Sequence, residues 1–345
     1  MTTEGNPFGP GDTFTPEMEV KTVRGGQPHV VILGAGASRH ACPKGDAAGR
    51  ILPLMKDLIG TVGLTPILDA HGVSGAGEDF EAVYSRLDGQ PPFAKCCEEL
   101  EERVHAYFSA LRLPDHPTVY DHLVLSLRPR DVIATFNWDP LLVQAAQRNA
   151  MRVALPRLLF LHGNVAVGFC EKDKRKGPFP GRCPKCHQPF QPTQLLYPVK
   201  DKNYSRRPLI WDEWQDLLDA MKVACILTIF GFGAPATDVE AVELMRTAWP
   251  APQKQTAQWV ELVNKTPRDE LLDQWKTFIL SHHADTTTDF YESRIARHPR
   301  RTGEAWAATH LFGMWEGGHH LPENAGFPEL WAWFHQLVAA EKAVE

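Results

Sequence analysis

The chain has no run of about 18 consecutive apolar residues, so nothing in it reads as a membrane span. It also lacks a cationic excess. Against 36 Lys and Arg stand 42 Asp and Glu, a formal net charge of −6, which argues against broad electrostatic binding to nucleic acid. There is no internal repeat and no low-complexity tract. Met1 to Gly26 contains no apolar run of the kind a secretory leader needs; its Gly, Pro, Thr and acids read as a loose tail. The seven cysteines, three clustered and the rest scattered, fit a reducing cytoplasm better than a disulfide framework, so the expected location is cytoplasmic. What remains is a 345-residue chain, 43% hydrophobic and with 10 Trp, long enough to bury a sizeable core.

Four short β-branched or apolar runs each end in glycine or polar residues, as buried parallel strands do. His29-Val30-Val31-Ile32-Leu33 enters Gly34-Ala35-Gly36-Ala37-Ser38. Val132-Ile133-Ala134 enters Thr135-Phe136-Asn137-Trp138-Asp139. Leu158-Leu159-Phe160 enters Leu161-His162-Gly163, and Ile226-Leu227-Thr228-Ile229-Phe230 enters Gly231-Phe232-Gly233. The expected fold is α/β, a Rossmann-like parallel sheet with helices on both faces. Polar groups at the carboxyl ends of its strands would form a nucleotide site. The glycines let backbone amides approach a pyrophosphate and aim a helix start at its charge. A third glycine would complete the ordinary dinucleotide fingerprint, but position 39 holds Arg39, which argues against a standard hydride-transfer dehydrogenase.

Between these strands the apolar spacing predicts helices. Ile51, Leu54, Met55 and Leu58 would share one face, as would Phe80, Val83 and Leu87, and then Leu100, Val104 and Phe108. Residues 45–115 therefore read as a helical insertion. A helix over 117–127 precedes the strand at 131–135, and Trp211, Trp214, Leu217, Leu218 and Met221 mark one before the strand at 223–230. Gln258 to Asn264 reads as the last strand. Trp275, Phe278 and Ile279 suggest a further helix, and Trp331, Trp333, Phe334 and Leu337 another. The basic run Arg294-Ile295-Ala296-Arg297-His298-Pro299-Arg300-Arg301 reads as a solvated or salt-bridged loop, or as a site for an anion or acidic partner.

Residues 164–208 break the periodicity and carry Cys183-Pro184-Lys185-Cys186, a CxxC knuckle with Cys170 upstream. Three thiolates plus one further ligand suit structural zinc. The fourth ligand is expected to be His187, with Asp173 as the alternative. The letters CPKCH also match a haem attachment motif, but no haem-type context surrounds them.

In order and rough spacing, GAGAS, TFNWD, LHG, the cysteine cluster and GFG together resemble the sirtuin (SIR2) family over about residues 28–265. The resemblance implies that the first motif holds NAD phosphates, that Asn137 and His162 surround the nicotinamide ribose, and that the cysteines hold zinc. It also implies that Asp139 meets the nicotinamide carboxamide and that Asn264 contacts the adenine ribose. Gly231, Gly233 and Asp238 would line the adenosine side. Arg39 to Asp46, TFNWD itself and GFGAPATD depart from the deacetylase pattern and look more like the SIR2-like domains of bacterial defence systems, which hydrolyse NAD. On that reading residues 1–26 are a flexible tail, 27–265 the NAD-binding domain with a metal module at 164–208, and 266–345 a C-terminal helical extension.

The chemistry fits the residue types. Nicotinamide leaves neutral and leaves an oxocarbenium-like ribose, so an enzyme has to position the bond and deliver a nucleophile. Asn137 would hold a water or ribose hydroxyl without ionising, and His162 would act as general base. The expected activity is hydrolysis of NAD to nicotinamide and ADP-ribose, with an NAD-dependent protein deacylase or a non-catalytic NAD or ADP-ribose sensor as alternatives. Asn137 and Asp139 also suit a helix cap before Pro140, and Ser38 suits either a phosphate contact or a cap. The pairs His282-His283 and His319-His320 read as surface or packing residues. An unregulated NADase would be toxic, so a regulatory protein or homo-oligomer is expected, with residues 265–345 as the place for a gate.

Overall fold

A computed structural model describes residues 11–24, 26–75, 77–198, 204, 207–233, 239–249, 258–279 and 283–344. Its strands, in chain order, are β1 (Thr13–Phe14), β2 (His29–Leu33), β3 (Val132–Thr135), β4 (Arg157–Phe160), β5 (Val167–Cys170), β6 (Arg175–Pro178), β7 (Gln191–Pro192), β8 (Ile226–Phe230), β9 (Trp259–Val263), β10 (Ala284–Thr287) and β11 (Trp315–Glu316). The six-stranded main sheet has the order β10-β9-β8-β2-β3-β4, and every pairing in it is parallel. β5, β6 and β7 form a small antiparallel sheet, and β1 pairs with β11.

Both faces of the main sheet are covered, because its strands are apolar on both sides. Along β2, Val31 and Leu33 join one core with the helices at Phe80–Leu87, Ala94–Ala110 and Val119–Leu125. Val30 and Ile32 join the opposite core with Trp214, Leu217 and Met221 of the helix Pro208–Val223. The alternation follows from the two-residue period of a strand. Local caps fix the helix starts. Asp79 accepts from the Ala82 amide (2.7 Å), and the carboxylate of Asp121 closes a capping box on the Thr118 amide (2.7 Å). Among the described residues no helix is long and apolar enough to cross a membrane.

Three segments differ from the sequence-based expectation. Ile51 to Leu54 is not helical; the first turn there is a short 3-10 segment at Met55–Asp57, and Ile51 is exposed. Pro53 explains this, since it lacks an amide hydrogen and disfavours the helical region for Leu52. The strand at Trp259–Val263 is not the last, because β10 adds a sixth strand beside it and draws the C-terminal segment into the sheet. Part of the expected loose tail is ordered: Thr15 caps the helix Pro16–Lys21, and Glu19 of that helix is fully buried.

Glu19 is buried because the basic run receives it. Arg294, His298, Arg300 and Arg301 are 3%, 0%, 2% and 0% exposed, so the run is not a solvated face but a buried ion-pair network. His298 bridges Glu19 (2.9 Å) and Glu316. Arg300 and Arg301 converge on Glu341, and Arg128 pairs with Glu304. The amide of Arg300 also donates to the Ser126 carbonyl (2.6 Å), which ties this network beneath the amino ends of the strands.

Candidate functional site

The strand order reverses between β8 and β2, and the turns that follow these two strands meet. Gly34 ends β2 and caps the helix Ala35–Ala41. The Gly36 amide donates to the Gly231 carbonyl (3.0 Å), and the Gly231 amide donates to the carbonyl of Val263 (2.9 Å). A Cβ on Gly231, whose φ is +66°, would lie 2.1 Å from the Ala37 nitrogen, and one on Gly34 would lie 2.6 Å from the Gly231 oxygen. These glycines are required by backbone packed on backbone, as well as by any ligand. Two first-turn amides are already taken, Gly36 by Gly231 and Ala37 by Gly34. An anion here would therefore meet the Ala35 amide and the positive helix start rather than a ring of free amides.

Beside this crossing lies a cavity of about 570 Å³ at the carboxyl ends of the strands. Gly34, Ala35, Gly36, Ser38, Asn137, Asp139, His162, Gly231, Gly233 and Asn264 all line it. Ala37 does not; it is fully buried in the core beneath the turn. Asp238 lies outside the described residues, as does His282. His283 packs against Trp259 and His319 against Trp333, both away from this cavity.

Asn137, Ser38 and Asp139 form one buried network. The Asn137 side-chain amide donates to the Gly34 carbonyl (2.9 Å), to Ser38 Oγ (2.9 Å) and to the Tyr120 hydroxyl (3.1 Å). The Gly34 carbonyl can only accept, so it fixes which end of the Asn137 amide points inward. With its NH2 spent inward, Asn137 keeps its carbonyl oxygen as the acceptor it can offer a ligand. Ser38 Oγ donates to Asp139 Oδ2 (2.6 Å) and accepts from Tyr120 (2.7 Å). Asp139 Oδ1 accepts from the Leu141 amide (3.1 Å), an Asx turn leading into the helix Leu141–Asn149; Pro140 is the N-cap of that helix, so neither Asn137 nor Asp139 is its cap. Burial raises the Asp139 pKa, and the bonds from Ser38 and Leu141 oppose that rise. Burial likewise lifts the Tyr120 phenol well above its usual range, which keeps it neutral.

His162 follows β4 and is 6% exposed. Its Nε2 lies 3.0 Å from the Tyr204 hydroxyl, and its ring meets Phe136 edge-on at 4.8 Å. Phe136 in turn stacks on Phe232 at 4.4 Å, which joins the β3 and β8 turns. Asn264 uses its Oδ1 to accept from the Thr266 amide (3.1 Å), an ordinary turn contact that leaves its NH2 as the donor group. Cationic groups at the wall are Arg39, Lys56 and Lys265, with His40 beside them. Arg39 pairs with Asp57 (2.6 Å), and His40 Nε2 lies 3.3 Å from Asp289, just after β10. Burial holds the His40 pKa below the ordinary histidine value.

Sequence reasoning missed Tyr120, Trp138 and Tyr204 as wall or network residues. Tyr120 sits on a helix face that read only as core, and its partner Ser38 lies 82 positions away in sequence.

The metal-ligating group sits on the small sheet. Cys170, Asp173, Cys183 and Cys186 bring their donor atoms within 4.8 Å of one another, and this cluster could hold a metal ion. Cys170 Sγ lies 3.5 Å from Cys186 Sγ, and Cys183 Sγ lies 3.3 Å from Asp173 Oδ2. Tetrahedral zinc with Zn–S near 2.3 Å separates its ligands by about 3.8 Å, so the S3O donor set fits. The fourth position belongs to Asp173, not to His187. His187 is exposed, with φ +60°, and its amide closes the turn onto the Cys183 carbonyl (2.9 Å), so the chain turns there as the knuckle ends.

No protein-family model matches the chain, and no curated protein matches it in sequence. Solved structures that resemble it in arrangement are Sir2 homologues. One is a Sir2 homologue–NAD complex, 15% identical, covering 87% of this chain and 96% of that one, with a TM-score of 0.40. A second, from work on the mechanism and regulation of Sir2 enzymes, is 15% identical over 84% and 93% with a TM-score of 0.39. A third, a Sir2 homologue variant with ADP-ribose, is 14% identical over 86% and 98% with a TM-score of 0.38. At such scores the likeness by itself says nothing of what this site binds.

Proposed function

We propose that this chain is a SIR2-like NAD hydrolase of the kind found in bacterial defence systems, with a structural zinc held by Cys170, Asp173, Cys183 and Cys186. The observation that carries the reading is the convergence of Gly34–Ser38, Asn137–Asp139 and His162 on one cavity at the strand reversal. Its size, about 570 Å³, falls within the range of small-molecule sites.

In this reading the pyrophosphate lies against the start of the helix Ala35–Ala41, with Arg39, Lys56 and Lys265 supplying positive charge. The nicotinamide ribose lies between Asn137 and His162. The C–N bond breaks with its electron pair on the nicotinamide nitrogen, and a water oxygen bonds to the anomeric carbon. Asn137 Oδ1 accepts a hydrogen bond from that water or from a ribose hydroxyl. The water's proton passes to His162 and on to solvent, leaving nicotinamide and ADP-ribose. Asp139 acts behind Asn137: both its oxygens are engaged, so it orients Ser38 and the turn rather than reaching the carboxamide freely. Zinc would cross-link the small sheet and take no part in the chemistry.

The test is nicotinamide release from NAD by the purified protein beside folded Asn137→Ala and His162→Ala variants. Release without any acylated peptide, lowered by about 10²–10⁴-fold in each variant, is expected for lost positioning and general-base roles. Release that both variants retain would refute the assignment, and an absolute need for an acylated peptide would make the enzyme a deacylase.

A further inference from the structure

The chain leaving the metal module does not merely return to the main sheet. β7 pairs with β5 opposite Gly168 and Phe169, and β5 ends at Cys170. The next residues then run along the His162 loop. The Thr193 amide donates to the Val167 carbonyl (3.1 Å), while its hydroxyl donates to the Asn164 carbonyl (2.7 Å) and accepts from the Asn164 amide (3.1 Å). The Leu196 amide donates to the His162 carbonyl (2.9 Å). Between them Gly163, at φ +75°, passes so close that a Cβ would lie 2.4 Å from the Gln194 oxygen.

Asn164 carries this contact to the other catalytic turn. It is 1% exposed. Its NH2 donates to the Asn137 carbonyl (3.2 Å) and the Asp139 carbonyl (2.6 Å), and its Oδ1 accepts from the Ala166 amide (2.9 Å). The Val165 amide adds a bond to the Trp138 carbonyl (3.0 Å). Every polar side-chain atom of Asn164 is thereby spent on holding backbone, and none is left for a ligand.

We propose that Asn164 is a positioning residue through which the metal module sets the Asn137–Asp139 turn, so that metal loading controls turnover and not nucleotide binding. This rests on the hydrolase reading of the site. Val167 anchors the inner end of the small sheet on Val143 and Phe160, but its outer end has a thin core, Phe190 with Phe179 and the cysteines, so the geometry of that end depends on the cross-link a metal provides. Without that cross-link β5 loses its fixed position against Thr193, and the Asn164 clamp loosens, while Leu195 and Leu196 stay in the main cores. The glycine turns after β2 and β8 meet the Asn137 turn through the Asn137 side chain, but their own backbone bonds hold them to each other and to Val263, so the adenosine half of the site persists.

The test compares zinc-loaded protein, the same protein stripped with chelator, and zinc-loaded Asn164→Ala and Asn164→Asp variants. Hydrogen exchange is followed over peptides 136–142 and 29–33, with NAD affinity by calorimetry and nicotinamide release. Stripping and both variants are expected to speed exchange at 136–142 at least tenfold. Exchange at 29–33 should stay unchanged, NAD affinity should hold within about threefold, and kcat should fall at least tenfold. Unchanged exchange at 136–142 in the stripped protein overturns the proposal. So does equal acceleration at 29–33, which would make the module a requirement of the whole fold. The expected exchange pattern with no nicotinamide release from loaded wild type upholds the coupling and overturns the hydrolase reading instead.

Discussion

Replacing Glu341 by Gln should destabilise the whole molecule, although this residue lies on the last helix, Phe327–Lys342. Its carboxylate accepts from Arg300 Nε (2.7 Å) and Nη2 (2.6 Å) and from Arg301 Nη1 (2.7 Å). The two arginine side chains are 1% and 0% exposed, and the Glu341 side chain 9%. Removing the charge that both guanidinium groups share leaves them buried beside Arg128, itself 3.8 Å from Glu341. Breaking a buried pair on one side costs about 3–5 kcal/mol. With an unfolding entropy of about 2.1 cal/mol/K per residue, a chain of 345 residues loses roughly 0.7 kcal/mol per degree, so the expected fall in Tm is about 4–7 °C. Scanning calorimetry beside a control, Glu243→Gln, would read it. Glu243 pairs with Arg246 at the surface, with side chains 59% and 42% exposed, and should shift Tm by less than about 1.5 °C. Burial raises the Glu341 carboxyl, but its two arginines hold it below the usual value, so its contribution is present above the unfolded pKa and fades as pH falls through the folded one. The difference between wild type and variant should accordingly shrink in acid. A Tm shift no larger than that of the control, at neutral pH, would refute the view that the C-terminal network is a buried part of the fold.

Two further outcomes follow from named contacts. Gly231→Ala should lose several kcal/mol or fail to fold, since its Cβ would lie 2.1 Å from backbone nitrogen at a φ of +66°. Gly233→Ala, with nothing within 4 Å, should melt within about 2 °C of wild type; equal behaviour of the two would contradict the backbone crossing. The third outcome concerns His298. Burial disfavours its charge, yet the bonds with Glu19 and Glu316 outweigh this and raise its pKa. Its stabilisation is therefore complete below the unfolded pKa of about 6.5 and is lost as pH rises through the folded value. As pH rises above the unfolded value, wild type should lose Tm more steeply than His298→Gln, and parallel profiles would show that the imidazole does not hold its proton in the fold.

How much of this was legible in sequence depended on how local each signal was. β2, β3, β4 and β8 announced themselves because fully buried parallel strands are short apolar runs and their polar ends are the site. β10, Ala-Asp-Thr-Thr, gave no such signal: it is an edge strand with only Ala284 buried, and its pairing with β9 decides it. The basic run is salt-bridged, one of the expected readings, but its burial gave no local signal for a related reason. Arg301 is buried because Glu341 lies 40 residues away, and His298 because Glu19 lies 279 residues away, so no window of sequence contains both charges. In the site, Asn137 and His162 were readable from their strand ends, whereas Tyr120 and Asn164 contribute through contacts that only the folded chain assembles. At the metal cluster, spacing admitted both His187 and Asp173. The turn geometry after Cys186 selects Asp173.

The two ends of the sheet now carry separate tasks, and this bears on how an enzyme of the proposed kind could be held in check. The amino ends rest on the buried network of Arg300, Arg301, Glu304, Glu341 and His298, which joins both ends of the described chain. The carboxyl ends carry the cavity. A gate that consisted of residues 265–345 as a separable extension conflicts with this division, because removing them removes β10 and the charges that neutralise Arg128 and Glu19. Such a deletion would report on folding, not on regulation. The C-terminal segment does reach the site, at Lys265 and Thr266 just past β9 and again beyond β10, where Thr288 lines the cavity and Asp289 meets His40. Asp289→Asn is the change that addresses this contact while sparing the network. If nicotinamide release changes while Tm stays within about 2 °C, control passes through this contact; if neither moves, the C-terminal segment serves the fold alone.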